Sequence, residues 1–138
     1  MSVAPTHLLD TSVYSQVLKP APLPSVVRRW QQLGDDCLAV SAICEAELLY
    51  GLALRGSARL YASYERVLKD RLQLLVVDRS VAAAFASAKA AQRNRGQMVP
   101  DLDLLIAATA KAHGLVVATT NTKHFALLEG VAVEDWSS

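Results

Sequence analysis

The sequence predicts an α/β protein in which a short parallel sheet of four to five strands is covered by helices on both faces. The chain has 138 residues, of which 52% are hydrophobic and 20% charged, which is enough for one domain with a substantial core. Its apolar runs are short, and they are apolar at every position rather than at alternate ones. Segments with helical periodicity separate these runs, an arrangement typical of parallel strands buried on both faces.

The first half of the chain predicts two strands and three helices. Apolar runs indicate strands at 7–9 and 37–40, and the first run leads directly into a turn. Helices are expected at 25–33, 42–55 and 58–71, where apolar residues recur at helical spacing. The proline-rich segment 20–24 reads as a loop before the first helix. Glycines that end helices and serines that cap the next ones mark the boundaries, namely Gly34, Ser41, Gly56 and Ser57.

The second half predicts strands at 74–77 and 115–118, with a fifth at 131–133. Between the first two we expect an alanine-rich helix capped by Ser80 and ended by Gly96, and a second helix opened by Pro100, capped by Asp101 and ended at Gly114. Apolar positions at helical spacing give the expected buried stripes, which are Val81, Ala84, Phe85 and Ala88 in the first helix and Leu102, Leu105, Ile106, Thr109 and Ala110 in the second.

Composition excludes several classes of protein. The apolar content excludes disorder, and a formal net charge of +1 excludes a polybasic nucleic-acid binder. Two cysteines seven residues apart fit no zinc or redox spacing. The first ten residues lack the features of a signal peptide, and no apolar run approaches the length of a membrane span, so we expect a cytoplasmic protein without membrane contact, folded as a single domain over residues 1–138.

Charge is unevenly distributed along the chain. Segment 55–95 holds nine basic and three acidic residues, a balance of +6, which leaves five basic and ten acidic residues, or −5, for the remainder. A solvated helical face accounts for such a basic segment. The same charge distribution is also expected of a protein that places basic residues beside an acidic site in order to bind a phosphate backbone.

Polar residues follow two of the predicted strands at the points where those strands end. Asp10 follows the first strand, and Thr119 and Asn121 follow the fourth. Ligands of open parallel sheets bind beyond the carboxyl ends of the strands. The sequence therefore predicts a site to which these distant segments contribute.

Two further carboxylates are candidates for this site. Glu47 shares a helical stripe with Ile43 and Tyr50, whereas Glu45 lies about 200° away and reads as a solvated acid. A carboxylate on an apolar face is costly unless something pairs with it, which favours a functional role for Glu47. Asp103 falls in the first turn of its helix, where stabilisation of an acid by the helix dipole is the structural alternative.

A cluster of carboxylates implies a cation, because like charges repel without one. Hard oxygen ligands with room for water suit Mg²⁺ or Mn²⁺, ions that generate hydroxide and neutralise the developing charge of a phosphodiester. The three histidines have no ligand-like spacing, and we expect His7, His113 and His124 to be structural.

These residues resemble a known family. The segments Leu8-Leu-Asp-Thr-Ser12, Ser41 to Gly51, Pro100-Asp-Leu-Asp-Leu-Leu-Ile-Ala-Ala108, Thr119 to Phe125 and Gly130 to Trp136 together resemble a PIN-domain ribonuclease of the VapC toxin type, in the right order over nearly the whole chain. The resemblance implies a PIN-like three-layer α/β/α fold. It assigns the metal-binding acids to Asp10, Glu47 and Asp103, and the fourth polar position to Asn121, with Thr119 as the preceding threonine.

The resemblance also implies an activity and partners. It predicts magnesium-dependent cleavage of RNA, often transfer RNA, to leave 5′-phosphate and 3′-hydroxyl ends, by a homodimer held inactive by a small VapB-type antitoxin. Asn121 occupies a position where the family has Asp or Asn. Because Asn lacks the negative charge of Asp, it weakens the case for a second tightly held metal ion.

Two other functions remain open at this point. The first is a catalytically silent module that keeps the PIN-like fold to bind a partner. The second is phosphate transfer with Asp10 as an aspartyl nucleophile. A dehalogenase-like site would require a second Asp where Ser12 stands, and a receiver domain would require more than one acid after the first strand.

Overall fold

A parallel sheet forms the centre of the structure, a computed structural model that describes residues 4–125 and 128–138. Within these residues the strands are β1 (His7–Leu9), β2 (Leu38–Ser41), β3 (Gln73–Leu75), β4 (Val116–Thr119) and β5 (Val133–Asp135). Their order is β3-β2-β1-β4-β5, and every neighbouring pair is parallel. The prediction of four to five parallel strands is confirmed.

Helices cover both faces of this sheet. The helices are α1 (Thr11–Tyr14), α2 (Pro24–Leu33), α3 (Ala42–Arg55), α4 (Ala58–Val67), α5 (Arg79–Asn94) and α6 (Asp101–His113). Short 3₁₀ turns at Ser15–Leu18, Asp35–Cys37 and Thr122–His124 join some of the elements. The predicted serine caps form, because Ser41 Oγ accepts from the Cys44 N–H at 3.0 Å and Ser57 Oγ accepts from the Leu60 N–H at 3.2 Å.

The alternation of side chains along the strands divides the core into two halves. Leu9 and Val40 pack with α1 to α4 on one face of the sheet. Their neighbours Leu8 and Ala39 pack with α5 and α6 on the other face. Strands that are apolar throughout are thus buried on both sides, and the expected three-layer α/β/α architecture is confirmed.

Several predicted boundaries were wrong. The helix predicted to reach Arg71 ends at Val67, because the chain turns there to bury Leu68 completely and Asp70 adopts a left-handed conformation with φ 63°. The cap of α5 is not Ser80 but Asp78, whose Oδ1 accepts from the Val81 N–H at 2.9 Å. The second, third, fourth and fifth strands are each displaced by one or two residues from the predicted ranges.

The start of α6 also differs from its prediction. Pro100 occupies the position before the helix, and Asp101 lies inside it, where its carboxylate pairs with Lys89 at 2.9 Å instead of capping. Leu102, expected in the buried stripe, is 47% exposed. The buried face of α6 instead includes Leu104 and Ile106, which are almost fully covered.

The environment of Glu45 corrects a further prediction. This residue is not a fully solvated acid but is half-buried beside α4. Burial, followed by the negative charge of Glu45, raises the pKa of Tyr64 to about 12. The stripe shared by Glu47 and Tyr50 is apolar but largely open to solvent, and the buried side of α3 is formed by Cys44, Leu48 and Leu52.

No helix in the described part of the chain combines the length and the hydropathy needed to cross a bilayer.

Candidate functional site

The predicted polar residues meet in a crevice at the carboxyl ends of β1 and β4. Asp10 directly follows β1, and its N–H donates to the Ala118 carbonyl of β4 at 2.9 Å. Strands are added to the sheet on opposite sides of β1, since β2 lies on one side of this strand and β4 on the other. Asp10 therefore lies at the topological switch point of the sheet, where ligands of such folds bind.

A network of hydroxyl groups fixes Asp10, which is 6% exposed. Thr119 Oγ1 and Ser12 Oγ each donate to Asp10 Oδ2 at 2.9 Å. These two hydroxyls in turn accept from the backbone, Thr119 Oγ1 from the Asn121 N–H at 2.9 Å and Ser12 Oγ from the Thr120 N–H at 3.1 Å. The segment after β4 is thus joined to the segment after β1 through this carboxylate.

Glu47 reaches the same crevice from α3. Thr11 Oγ1 donates to Glu47 Oε1 at 2.8 Å, so the residue after Asp10 orients the second acid. Burial raises the pKa of Glu47 above its usual range, the Thr11 hydrogen bond opposes this, and the charges of Asp10 and Asp103 raise it further. The charges of Asp10 and Asp103 thus act on Glu47, as expected where three carboxylates share a site.

Asp103 approaches from the first turn of α6. Its Oδ2 lies 3.1 Å from His124 Nδ1, and Asn121 Nδ2 lies 3.0 Å from His124 Nε2. Burial raises the pKa of Asp103, the neighbouring His124 lowers it, and the charge of Asp10 raises it. The structure therefore brings together all five residues predicted for the site, namely Asp10, Glu47, Asp103, Thr119 and Asn121.

Each of the three carboxylates is held through only one oxygen. Oδ2 of Asp10, Oε1 of Glu47 and Oδ2 of Asp103 have the contacts described above. Over residues 4–125 and 128–138, no hydrogen bond of the protein engages their other oxygens. The acids are thus oriented but keep ligand capacity.

No group of three or more Asp, Glu, His or Cys side chains within the described ranges is close enough to hold a metal ion together. Mg²⁺ commonly keeps several waters and uses one or two carboxylates directly. The donor set therefore fits a hydrated Mg²⁺ or Mn²⁺ better than an ion enclosed by protein.

Three site residues were not predicted from the sequence. Thr11 and Ser12 each donate a hydrogen bond to a carboxylate of the site. Their position directly after Asp10 is the feature of the sequence that could have identified them. His124 was interpreted as structural, yet it contacts both Asp103 and Asn121. Its distance of three residues from Asn121 allowed that contact, but contact with Asp103 depends on the packing of α6.

A groove of about 1380 Å³ leads away from the site between α1, the following 3₁₀ turn, α3 and α4. Thr11 and Glu47 of the site belong to its lining, and Lys19, Arg55 and Arg59 form basic parts of its wall. Leucines form much of the remaining lining, namely Leu18, Leu48, Leu52, Leu54 and Leu60. The groove is therefore apolar with basic margins and opens beside the acids.

The bases of segment 55–95 differ in their surroundings. Several of its bases form surface ion pairs, such as Arg71 with Asp35 at 3.0 Å and Arg95 with Glu129 at 2.7 Å. Arg55 and Arg59 have no carboxylate within 4.0 Å among the residues described. These two arginines line the groove that also includes Glu47.

The chain is similar to known proteins in sequence and in fold. The pattern of the PIN domain family matches residues 7–130. The chain is 34% identical to Toxin FitB of Neisseria gonorrhoeae, with 94% of this chain and 97% of that protein covered. It is 27% identical to the tRNA(fMet)-specific endonuclease VapC of Shigella flexneri, with the same coverage. The crystal structure of DNA-bound VapBC from Salmonella typhimurium superposes with a TM-score of 0.82 at 28% identity, and covers 96% of this chain and 98% of that one.

Proposed function

This chain belongs to the PIN domain family, and from that membership we propose that it is an endoribonuclease that acts as the toxin of a toxin–antitoxin pair. The observation that carries the proposal is the convergence of Asp10, Glu47 and Asp103, which come from three distant parts of the chain, at the switch point of the sheet. The names of the relatives, a toxin and a tRNA-specific endonuclease, support the same activity. Transfer RNA is accordingly the substrate we propose.

Mg²⁺ is the proposed cation of this site, with Mn²⁺ as a substitute. Asp10, Glu47 and Asp103 would hold it, directly or through water, with the oxygens that the protein leaves without hydrogen bonds. Such an ion would supply a Lewis acid that neutralises the charge developing on a phosphodiester during hydrolysis.

The remaining side chains of the site orient these acids. Thr119 and Ser12 fix Asp10 by donating to one oxygen, which leaves the other directed elsewhere. Thr11 does the same for Glu47. Because these hydroxyls are partly or wholly buried, they hold the carboxylates in place before RNA arrives, and preorganisation of this kind lowers the cost of binding the transition state.

The groove beside the acids is the proposed binding surface for a VapB-type antitoxin. Its leucines suit the apolar face of an amphipathic segment, and Arg55 and Arg59 suit acidic residues on such a segment. An antitoxin arginine that reached the acids could form bidentate contacts with them in place of the cation. The structural similarity to VapBC supports this class of partner.

A homodimer is also proposed. Large apolar side chains remain exposed, among them Leu74 at 44%, Val76 at 58% and Met98 at 87%. Exposed apolar surface of this kind is typical of an interface. Sedimentation of the purified protein, alone and with the product of a neighbouring gene, tests both assemblies.

The decisive experiment is RNA cleavage by the purified protein with and without divalent cation. With Mg²⁺ we expect cleavage of transfer RNA, loss of cleavage in EDTA and recovery with Mn²⁺. Asp10→Asn should reduce the rate at least about 100-fold, since a ligand oxygen is lost, whereas Asp36→Asn, at an exposed turn, should not change it. Undiminished cleavage by Asp10→Asn would refute the proposed site. A module that binds an antitoxin but cleaves no RNA under any condition would instead be catalytically silent.

A further inference from the structure

His124 connects two residues of the proposed site that belong to different elements. Its Nδ1 lies 3.1 Å from Asp103 Oδ2 on α6, and its Nε2 lies 3.0 Å from Asn121 Nδ2 at the end of β4. From these two contacts we propose that His124 is a positioning residue, which is itself oriented by Asn121 and which fixes the direction of the Asp103 carboxylate. This inference rests on the proposed function for what Asp103 does, but the arrangement itself can be tested without RNA.

The chemistry of the two partners selects one form of the imidazole ring. A carboxylate oxygen only accepts hydrogen bonds, so a favourable contact of Nδ1 with Asp103 requires a proton on Nδ1. The Asn121 Nδ2–H group only donates, so Nε2 accepts through its lone pair. We therefore expect a neutral imidazole that carries its proton on Nδ1.

The backbone holds His124 where it can make these contacts. His124 closes a short 3₁₀ turn, in which its N–H donates to the Asn121 carbonyl at 3.2 Å. The next residue, Phe125, is 1% exposed and anchors the turn in the core between the sheet and α6. Thr119 secures the start of the segment, because its hydroxyl accepts from the Asn121 N–H.

Asp103 depends on a single side-chain contact, as Glu47 depends on Thr11. Asp10 is held by two hydroxyls, whereas His124 is the one side chain among the described residues that contacts an oxygen of Asp103. Without the imidazole, the Asp103 carboxylate would be free to turn about its side-chain bonds. A residue that orients a ligand in this way commonly contributes 10- to 100-fold to metal affinity or activity.

The first test is the protonation state of the ring in the metal-free protein. Long-range ¹H–¹⁵N correlation spectra at about pH 8, above the range in which free imidazole titrates, should show His124 with its proton on Nδ1. Asn121→Ala should alter the Nε2 signal, while His113, exposed at the end of α6, should keep its signals. A proton on Nε2 instead of Nδ1 in the unmutated protein would overturn the inference.

The second test compares variants by Mn²⁺ titration and by RNA cleavage. His124→Ala should weaken Mn²⁺ binding and lower kcat about 10-fold with little change in KM. His124→Asn should recover most of both, because its amide N–H can replace the Nδ1–H donor. His113→Ala is the matched control and should equal the parent. His124→Ala and Asn121→Ala should be non-additive when combined, since both act through one contact.

The outcomes separate this inference from the proposed function. If the parent cleaves RNA and His124→Ala binds Mn²⁺ and cleaves equally well, the inference fails and the function stands. If His124→Ala raises KM alone and His124→Asn does not restore it, His124 contacts RNA and does not position Asp103. If the parent cleaves no RNA, the function fails, and the ring spectra still decide the inference.

Discussion

At Glu47, burial and the charges of Asp10 and Asp103 raise the pKa of the carboxyl, while the Thr11 hydrogen bond and the charge of His124 lower it by less. The folded protein therefore retains a proton that the unfolded chain releases. The resulting stabilisation is complete below the unfolded value of 4.5 and is lost as the pH rises through the folded pKa. At neutral pH the ionised, metal-free site should cost the protein stability.

Glu47→Gln should consequently raise the melting temperature in EDTA at neutral pH, by about 1–2 °C for a partly exposed group. The glutamine keeps an oxygen that can accept from Thr11, so the substitution removes mainly the charge. Addition of Mg²⁺ should stabilise the parent more than the variant. Glu65→Gln, at an exposed position of α4, is the control. A lower melting temperature for Glu47→Gln, with an equal response to Mg²⁺, would show that Glu47 is a structural residue.

The residues of the site differ in how far the sequence could predict them. Asp10 and Thr119 could be placed because they follow apolar strands, and the ends of parallel strands share one edge. Glu47 could be distinguished from Glu45 because a helical period separates their directions. His124 could not be placed, because its role depends on a contact with α6 that no local pattern encodes.

At the scale of elements, the helices were better predicted than their ends. The start of α3 and the end of α6 were correct because Ser41 and Gly114 supply local capping chemistry. The end of α4 was wrong because burial of Leu68 outweighs the helical propensity of the following residues. Local signals therefore set a boundary only where tertiary packing does not compete with them.

Helix α5 contains an unusual buried amide. Gln92 is 3% exposed, and among the described residues its Nε2 finds no hydrogen-bond partner. A buried donor without a partner costs about 1–3 kcal/mol. Gln92→Met keeps the approximate shape and removes the donor, so it should raise the melting temperature by a few degrees.

Thermal melts of Gln92→Met and of Gln31→Met test this expectation. Gln31 is exposed on α2, so its substitution should leave the melting temperature unchanged. A decrease on replacing Gln92 would mean that its amide makes a stabilising contact in solution.

At the scale of the whole molecule, the strand order determines where the site forms. Because β1 is central and β4 lies beside it, the residues after these strands meet although more than a hundred positions separate Asp10 from Thr119. The two helical layers then deliver the other acids, Glu47 from the layer of α3 and Asp103 from the layer of α6. A crevice supplied from both faces of the sheet can hold carboxylates on more than one side of a phosphodiester.

The end of the chain is tied to this framework by Glu134 on β5. Arg29 of α2 donates to Glu134 Oε1 at 2.6 Å, and Trp136 Nε1 donates to the same oxygen at 2.8 Å. His7 Nε2 on β1 lies 3.1 Å from Oε2. These contacts lower the pKa of Glu134 to about 2, chiefly through the Arg29 hydrogen bond and against the effect of burial.

Glu134→Gln should therefore destabilise the protein by about 1–2 kcal/mol at neutral pH, since charge-assisted hydrogen bonds to Arg29 and His7 are weakened. Because the folded pKa is depressed, the contribution of Glu134 is complete above its unfolded value of 4.5 and is lost as the pH falls through about 2. Urea unfolding at several pH values should show the difference between parent and variant shrinking across that interval. Glu129→Gln removes an exposed ion pair with Arg95 and should cost little at any pH. A difference for Glu134→Gln that persisted undiminished at the acid end would mean that packing of β5, rather than the ionised carboxylate, holds the end of the chain.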